Sequence, residues 1–166
     1  MTELDAMTGD PVQLRRAYGC FPSGVTAICA LDATGTPVGI AASSFTSVSV
    51  EPALVSVCVQ SSSTTWPRLR RLPRLGVSVL AEEQNAAAQR LAMKQGDRFA
   101  ELDWFGTDDG GILVRGAVAW LDCSIHAEVT AGDHEIVLLS IHALRADPDR
   151  APLVFHGSRF RQLAAV

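Results

Sequence analysis

The chain has 166 residues, of which 48% are hydrophobic and 19% are charged, and its formal net charge at pH 7 is −4. This length predicts one domain with a core that needs no disulfide or metal. The acidic balance argues against a nucleic-acid surface, which requires an excess of Lys and Arg. Because only 6% of the residues are aromatic, we expect a core of Ala, Val, Leu and Ile.

The predicted elements begin with a flexible tail over residues 1–11 and a short helix over residues 12–18, which ends before a turn sequence at 20–24. Runs rich in Val, Ile, Ser and Thr follow at residues 25–31, 38–50 and 53–60. Turn sequences separate these runs, and this spacing predicts antiparallel strands.

The second half of the chain is predicted to contain helices, strands and one loop. The predicted helices cover residues 64–72 and 83–95, the second with Gly96 at its end. The predicted strands cover residues 75–81, 112–130 (bent near Gly116) and 134–145. A loop is predicted at 99–111, and a closing turn or short helix at 157–163. Strands therefore dominate, and no regular strand–helix alternation is present. The sequence predicts a mainly antiparallel β fold, and a small closed barrel with flanking helices fits it better than a doubly wound parallel sheet.

No apolar run approaches the ~20 residues needed to cross a bilayer, and the first 13 residues lack the basic and apolar regions of an export signal. We therefore expect a cytoplasmic protein without a membrane segment. The four cysteines form no Cys-x-x-Cys pair, so we expect them to be small buried hydrophobic residues. We expect the arginines at 68, 70, 71 and 74 to form one solvated helix face.

Conventional catalytic and metal-binding motifs are missing from the sequence. A Gly-x-Ser-x-Gly elbow, a Gly-rich phosphate loop and a pair of acids are all absent. His134 and His142 would lie about 26 Å apart on one strand, too far to share a metal ion. We interpret His126 and His142 as ordinary strand residues. His134 follows a Gly-Asp turn, a position where functional side chains often lie.

Hydroxyl residues are concentrated at residues 42–47 and 60–65, next to strand ends. Hydroxyls and free N–H groups ahead of a helix can bind a phosphate. Alternatively, Ser63 or Thr65 could serve only as a helix cap. The length of the polar run favours the phosphate site, because a cap needs one residue.

Several segments resemble, in their order along the chain, the flavin reductase-like family. They are Phe21-Pro22-Ser23-Gly24-Val25-Thr26, Ala41-Ala42-Ser43-Ser44-Phe45-Thr46-Ser47-Val48-Ser49, Pro52-Ala53-Leu54-Val55-Ser56-Val57-Cys58, Ser63-Thr64-Thr65, Gly96-Asp97-Arg98-Phe99, Leu121-Asp122-Cys123, Gly132-Asp133-His134 and Phe155-His156-Gly157-Ser158-Arg159-Phe160. The resemblance covers residues 12–163. It implies an antiparallel FMN-binding split barrel of Greek-key type over residues 12–166, and a homodimer with each flavin near the shared interface.

The resemblance also implies two sets of binding residues. The flavin would contact Thr26, Ala42, Ser43, Ser44, Phe45, Thr46, Ser47, Cys58, Val59, Gln60, Ser63, Thr64, Thr65 and Phe99. The nicotinamide dinucleotide would contact Pro22, Ser23, His134, His156, Arg159 and Phe160. Two features depart from the family pattern: Phe160 stands where the family often has Tyr, and the order Gly157-Ser158 differs.

The function implied by the resemblance is NAD(P)H-dependent reduction of FMN or FAD, with the reduced flavin passed to a separate flavin-dependent monooxygenase. Hydride transfer occurs between the two cofactors, so we expect neither a catalytic side chain nor a metal. The lack of an Arg-rich pocket near His134 favours NADH over NADPH. Two alternatives remain: a flavin oxidase similar to pyridoxamine-phosphate oxidases, against which the Gly132-Asp133-His134 motif argues, and a non-catalytic flavin-binding protein.

Overall fold

The computed structural model describes residues 3–166, so the first two residues of the predicted tail lie outside the described part. The first helix, α1, spans Pro11–Tyr18 and confirms the predicted helix with a start one residue earlier. It begins there because the Asp10 carboxylate accepts a hydrogen bond of 2.9 Å from the Val12 N–H. Pro11 occupies the first turn, where a missing N–H has no consequence.

Strands far outnumber helices in the described chain, and all their pairings are antiparallel, as predicted. The strands are β1 (Ser23–Gly24), β2 (Thr26–Leu31), β3 (Pro37–Ala42), β4 (Thr46–Ser49), β5 (Leu54–Gln60), β6 (Leu75–Val79), β7 (Trp104–Gly106), β8 (Gly111–Val114), β9 (Ala119–Ala131), β10 (His134–Ala146), β11 (Val154–His156) and β12 (Arg159–Arg161). Two further helices are α2 (Trp66–Leu69) and α3 (Asn85–Leu91).

The strands form two sheets. Nine strands belong to one sheet with the order β4-β5-β10-β9-β6-β2-β8-β7, to which β3 is added beside β2. Its end strands β4 and β7 do not pair with each other, so the path is open rather than the fully closed barrel that the strand count suggested. The second sheet has the order β1-β11-β12.

The core lies on both faces of β2. Ile28 and Ala30 belong to one apolar cluster, whereas Ala27 and Cys29 belong to the other, as the two-residue period of a strand requires. Ala, Val, Leu and Ile provide most of the buried side chains, which confirms the core predicted from composition. The β6 backbone crosses β8 so closely at Gly76 that an added Cβ would lie 2.1 Å from the Ile112 carbonyl oxygen.

Two predicted strands are each divided in two. The predicted strand 38–50 is broken at residues 43–45, because β3 pairs with β2 while β4 pairs with β5. The predicted strand 112–130 is broken at Gly116, whose φ of +77° forms a turn between β8 and β9. The predicted bend is therefore a break, and Gly permits it because it lacks a Cβ.

The other boundary errors concern short elements. The helices predicted at 64–72 and 83–95 are present but shorter, as α2 and α3. The predicted loop 99–111 contains the strand β7. Of the predicted closing turn or short helix at 157–163, the turn is present at its start and the helix is not, because β12 follows. Gly157 and Ser158 have φ of +57° and +61°, which form a two-residue hairpin turn between β11 and β12.

Two expectations about charged and sulfur-containing residues are also corrected. The arginine cluster is not simply solvated, because Arg68 pairs with Asp32 at 3.0 Å and Arg70 pairs with Glu128 at 2.7 Å. Arg74 likewise pairs with Asp122. Only two of the four cysteines are buried, namely Cys29 and Cys123, whereas Cys20 and Cys58 are exposed.

The strand histidines make ordinary hydrogen bonds, as predicted. His142 Nε2 lies 2.7 Å from Ser124 Oγ, and His126 Nδ1 lies 3.2 Å from Ser140 Oγ. Within residues 3–166, no helix combines the length and apolar character that a membrane crossing requires. In the same part of the chain, no three His, Cys, Asp or Glu side chains are grouped so that they could hold a metal ion.

Candidate functional site

A groove runs along β3 and past its end at Ser43. At the start of β3 it forms a basic cleft of about 320 Å³, lined by residues 37–39, 64–65, 68 and 94–99. At the end of β3 it forms a central cleft of about 320 Å³, lined by residues 40–44, 58–60, 63 and 134. Because the two clefts follow consecutive residues of β3, we treat them as parts of one groove.

Two further clefts share Ser43 with the central cleft. A small apolar cleft of about 150 Å³ contains Phe155 and Phe160. A distal cleft of about 320 Å³ contains Ser23 and His156, together with Arg15, Tyr18 and Phe21 near α1. Ser43 is therefore the point at which the β3 groove meets the second sheet.

The central cleft is held together by contacts between β5, β10 and the segment after β3. His134 pairs directly with Gln60, since β10 begins where β5 ends. The Ser44 hydroxyl donates to the Cys58 carbonyl oxygen at 3.0 Å and accepts from the Cys58 N–H at 2.8 Å. These bonds fix the backbone around Ser43, where the chain has left β3 and no longer pairs with a neighbouring strand.

The His134 ring is oriented by the residue before it. His134 Nδ1 lies 2.7 Å from Asp133 Oδ1, and the hydrogen bond and charge of His134 hold the pKa of the Asp133 carboxyl below its ordinary value. The Asp133 carbonyl oxygen accepts from the Ser61 N–H at 2.9 Å, which ties this turn to the end of β5. With Nδ1 engaged, Nε2 is the ring nitrogen left to bind a ligand.

The basic cleft is built around Arg98. Arg98 Nη1 donates to the Gly39 carbonyl oxygen at 2.8 Å and to Thr65 Oγ1 at 2.9 Å. A Cβ on Gly39 would lie 2.9 Å from Phe99 Cζ and 2.5 Å from Cys29 Sγ, so the missing side chain lets Phe99 pack on β3. Arg98 is thus held in a half-buried position where its remaining N–H groups can bind an anion.

The helix-cap alternative for the hydroxyl run applies to one residue. Ser63 Oγ accepts from the Trp66 N–H at 3.1 Å and so caps α2. Thr65 makes no capping bond. The Thr65 hydroxyl binds Arg98 instead, on the lining of the basic cleft.

The structure brings many of the predicted flavin residues to the groove, but not all of them. The central cleft contains Ala42, Ser43, Ser44, Cys58, Val59, Gln60 and Ser63, and the basic cleft contains Thr64, Thr65 and Phe99. Thr26 is buried and donates to the Ala42 carbonyl oxygen at 3.0 Å. Phe45 packs on the core, and Thr46 and Ser47 are exposed on the edge strand β4. These four residues do not line the clefts.

The residues predicted for the nicotinamide dinucleotide are divided among three clefts. Ser23 and His156 line the distal cleft and Phe160 the apolar cleft, where its ring centroid lies 5.6 Å from that of Phe155. His134 lies apart from them in the central cleft. Pro22 and Arg159 are exposed and line none of these clefts.

Sequence reasoning did not assign a role to Arg98, Arg15 or Tyr18. Arg98 lies next to Phe99 in the segment at residues 96–99 that resembles the family. A cation beside a predicted flavin-binding residue was the sequence signal that could have identified it. Arg15 and Tyr18 reach the distal cleft only because α1 ends beside the β11–β12 turn, where the Gly157 N–H donates to the Gly19 carbonyl oxygen. No local sequence signal predicts that contact.

A separate cleft of about 570 Å³ lies between β7, β8 and the far ends of β9 and β10. It is lined by residues such as Phe105, Trp120 and Leu144, and none of the predicted site residues belongs to it. Leu144 is ten positions from His134 along β10, a separation of about 33 Å.

Comparison with known proteins identifies relatives along nearly the whole chain. Residues 18–164 match the model of the flavin reductase like domain. The chain is 38% identical over 157 residues to a flavin reductase from Pseudomonas putida, which covers 95% of this chain and 92% of the relative. It is 34% identical to the reductase subunit of a flavin-dependent monooxygenase from Rhodococcus jostii, with 91% and 77% covered.

The fold has a solved counterpart of similar sequence. An NADH:FAD oxidoreductase from Streptomyces globisporus C-1027, determined with NAD and FAD fragments, superposes with a TM-score of 0.90 and is 41% identical. The superposition covers 98% of each chain.

Proposed function

This chain belongs to the flavin reductase-like family, and from that premise we propose that it is an NAD(P)H-dependent flavin reductase that supplies reduced flavin to a separate monooxygenase. The observation that carries the proposal is the series of clefts that follow β3, with a basic cleft at the start of the strand and aromatic side chains beyond its end. An extended molecule with a ring system and a phosphate matches this order. The Rhodococcus jostii relative, a monooxygenase reductase subunit, supports the separate partner.

The residues of the groove fit a flavin. Arg98 and the Thr65 hydroxyl can bind the phosphate, since a guanidinium and a hydroxyl are good donors to phosphate oxygens. The Ser43 hydroxyl and the backbone of Ser43 and Ser44 can bind the polar edge of the isoalloxazine ring, while the Ser44 hydroxyl is engaged by Cys58. Thr26 would act indirectly, because its hydroxyl positions the Ala42 carbonyl at the cleft.

The second sheet would hold the nicotinamide dinucleotide. Phe160 and His156 lie beside Ser43, so a group bound there would meet one bound in the central cleft. His134, on the central cleft, would reach the same meeting point through Nε2. Phe160 can provide an apolar face but no hydroxyl.

The reaction requires little chemistry from the side chains. When bound, the reduced nicotinamide supplies a hydride that the flavin accepts, and the protein provides orientation and electrostatics. The bonds of Ser44 and Arg98 fix the two ends of the flavin site, and Asp133 fixes the His134 ring. The Phe155–Phe160 pair provides an apolar wall that excludes water from one side of the meeting point.

We also propose that the protein is a homodimer, with the outer face of β5, β10 and β9 as its interface. Ile136 pairs with Val129 on one side and with Cys58 on the other, which forms an apolar row across three strands. Val129 is 53% exposed. Cys58 also lines the central cleft, so a partner on this face would lie next to the flavin.

The test is NADH oxidation measured with FAD, with FMN and without flavin. We expect turnover that depends on added flavin, and reduced flavin that leaves the protein and supports a separate flavin-dependent monooxygenase. Tight flavin binding without NADH oxidation would overturn the proposal in favour of a binding protein. Oxidation of pyridoxamine phosphate in place of NADH would favour the oxidase alternative.

A further inference from the structure

We propose that Arg68 and Lys94 form a second phosphate subsite at the outer end of the basic cleft, and that this subsite selects FAD over FMN. FAD carries two phosphates in a pyrophosphate, whereas FMN carries one. The inference rests on the proposed function and adds the substrate preference of its flavin site.

The basic cleft contains more cations than one phosphate needs. Arg98, Arg68 and Lys94 all line its 320 Å³ volume. Lys94 is the only lysine of the chain. Arg98 and Thr65 contact each other and can together hold one phosphate. The two remaining cations are then available for a second phosphate, which FMN lacks.

The positions of these cations follow the direction of the groove. Arg98 binds the carbonyl of Gly39, which is next to the central cleft, whereas Arg68 binds Asp32 at 3.0 Å, in the turn that precedes β3. Arg68 thus lies farther from the ring site than Arg98, beside the turn at residues 32–36.

Three cations face two carboxylates, Asp32 and Asp97, so the acidic groups offset only part of the positive charge of the cleft. The bonds from Thr34, Thr36 and Arg68 lower the pKa of Asp32 to about 2, so Asp32 stays ionised and holds one arm of Arg68 in place. The Asp97 carboxylate accepts from the N–H groups of Phe99 and Ala100, at 2.9 and 3.2 Å. Among residues 3–166, Lys94 forms no ion pair.

The remaining donors are available to a ligand. Only Nη2 of Arg68 engages Asp32, and the side chain is 55% exposed, so its other N–H groups face solvent. In a pyrophosphate bound along the cleft, the phosphate nearer the flavin ring would contact Arg98. The phosphate farther from the ring would contact Arg68 and Lys94.

The experiment compares the affinities of riboflavin, FMN and FAD for the wild type, Lys94→Met and the double variant Lys94→Met with Arg68→Gln. We expect the dissociation constant of FAD to rise about tenfold in Lys94→Met, as for loss of one charge-assisted bond, and further in the double variant. The constants for FMN and riboflavin should change less than twofold. Arg71→Gln is the matched control, because Arg71 is an exposed cation of the same segment that does not line the cleft.

Three outcomes among the variants would overturn the subsite. The first is an equal loss of FMN and FAD affinity, which would indicate a general electrostatic effect. The second is an equal FAD loss in Arg71→Gln. The third is an unchanged FAD constant with a raised KM for NADH, which would assign the cations to the pyrophosphate of the dinucleotide. A wild type that binds all three flavins equally and reduces them would overturn the subsite alone, whereas a wild type that neither binds nor reduces flavin would overturn the proposed function too.

Discussion

His134 illustrates how one side chain can be assigned to one of two ligands. It lies in the central cleft opposite Gln60, although the family resemblance assigns it to the nicotinamide dinucleotide. Asp133 holds Nδ1, and only Nε2 remains for a ligand. Loss of the ring would weaken the binding of either the dinucleotide or the flavin, according to which of them it contacts.

We predict that His134→Ala raises the KM for NADH about five- to tenfold, as expected for one lost hydrogen bond to a ligand, and leaves the dissociation constant of FAD unchanged. Steady-state kinetics with varied NADH, combined with a flavin titration, measures both quantities. Asp133→Asn should give a smaller change, since it keeps a bond to Nδ1 but removes the charge. An equal loss of FAD affinity in His134→Ala would assign the ring to the flavin instead.

The four cysteines provide a second prediction for single residues. Burial raises the pKa of Cys29 and of Cys123 to about 12, so both thiols stay protonated at pH 8 and should not react with iodoacetamide. Cys20 is exposed and should be alkylated, and Cys58, which is exposed in the single chain, should react more slowly because the proposed dimer interface adjoins it. Because Cys58 lines the central cleft, FAD should slow its alkylation but not that of Cys20.

Peptide mass spectrometry of the alkylated native protein measures all four rates together. Urea should make Cys29 and Cys123 reactive, which confirms that burial is the cause. If FAD slowed Cys20 and Cys58 alike, the protection would reflect general stabilisation. If it slowed neither, the central cleft would not be the flavin site.

At the scale of elements, the β11–β12 hairpin places His156 and Phe160 beside the groove. Its turn requires positive φ at Gly157 and Ser158, which a type I′ turn always demands. We predict that Gly157→Ala lowers the free energy of unfolding by about 1–2 kcal/mol, the cost of a left-handed conformation with a Cβ. We also expect a raised KM for NADH, because the turn orients both residues.

Urea unfolding and steady-state kinetics measure these two effects. Gly24→Ala in β1 is the matched control, since a Cβ there meets open space and its φ is not left-handed. It should leave stability within about 0.5 kcal/mol of the wild type. A Gly157→Ala variant as stable as Gly24→Ala would show that the turn tolerates another conformation.

The elements also show what local sequence can predict. The apolar run that includes Ala27, Ile28 and Cys29 identifies β2 correctly, because both faces of the strand are buried. The same pattern fails at residues 43–45, where no Gly or Pro marks the break. That break arises because β3 and β4 choose different partner strands, and strand pairing over long separations is not encoded locally.

For the candidate site, too, local motifs predict some features and long-range strand pairing decides the others. Family motifs locate Ser43, Cys58 and Thr65 on the groove, since each lies in a segment that resembles the family. They do not separate Thr46, which faces solvent on an edge strand, from Ser44, which binds β5. Side-chain direction depends on where β4 begins, and this boundary was not predicted.

At the scale of the whole molecule, the groove exists because two sheets meet at Ser43. The nine-stranded sheet provides the basic and central clefts, and the three-stranded sheet provides the aromatic side. The sheet path is open, so β4 is left at an edge, and the apolar row of Val129, Ile136 and Cys58 faces outward. An exposed apolar row across three strands is typical of a surface that another chain covers.

This face leads to the prediction for the whole molecule. We predict that light scattering gives the mass of a homodimer, and that Val129→Lys shifts it to a monomer, because charged residues are unfavourable at the centre of an interface. Val12→Lys, which replaces an exposed valine of α1, is the matched control and should stay dimeric. Since Cys58 belongs both to this row and to the central cleft, the monomer should also bind FAD more weakly. A Val129→Lys monomer with full reductase turnover would place the flavin away from the interface, and a dimeric Val129→Lys variant would place the interface on another face.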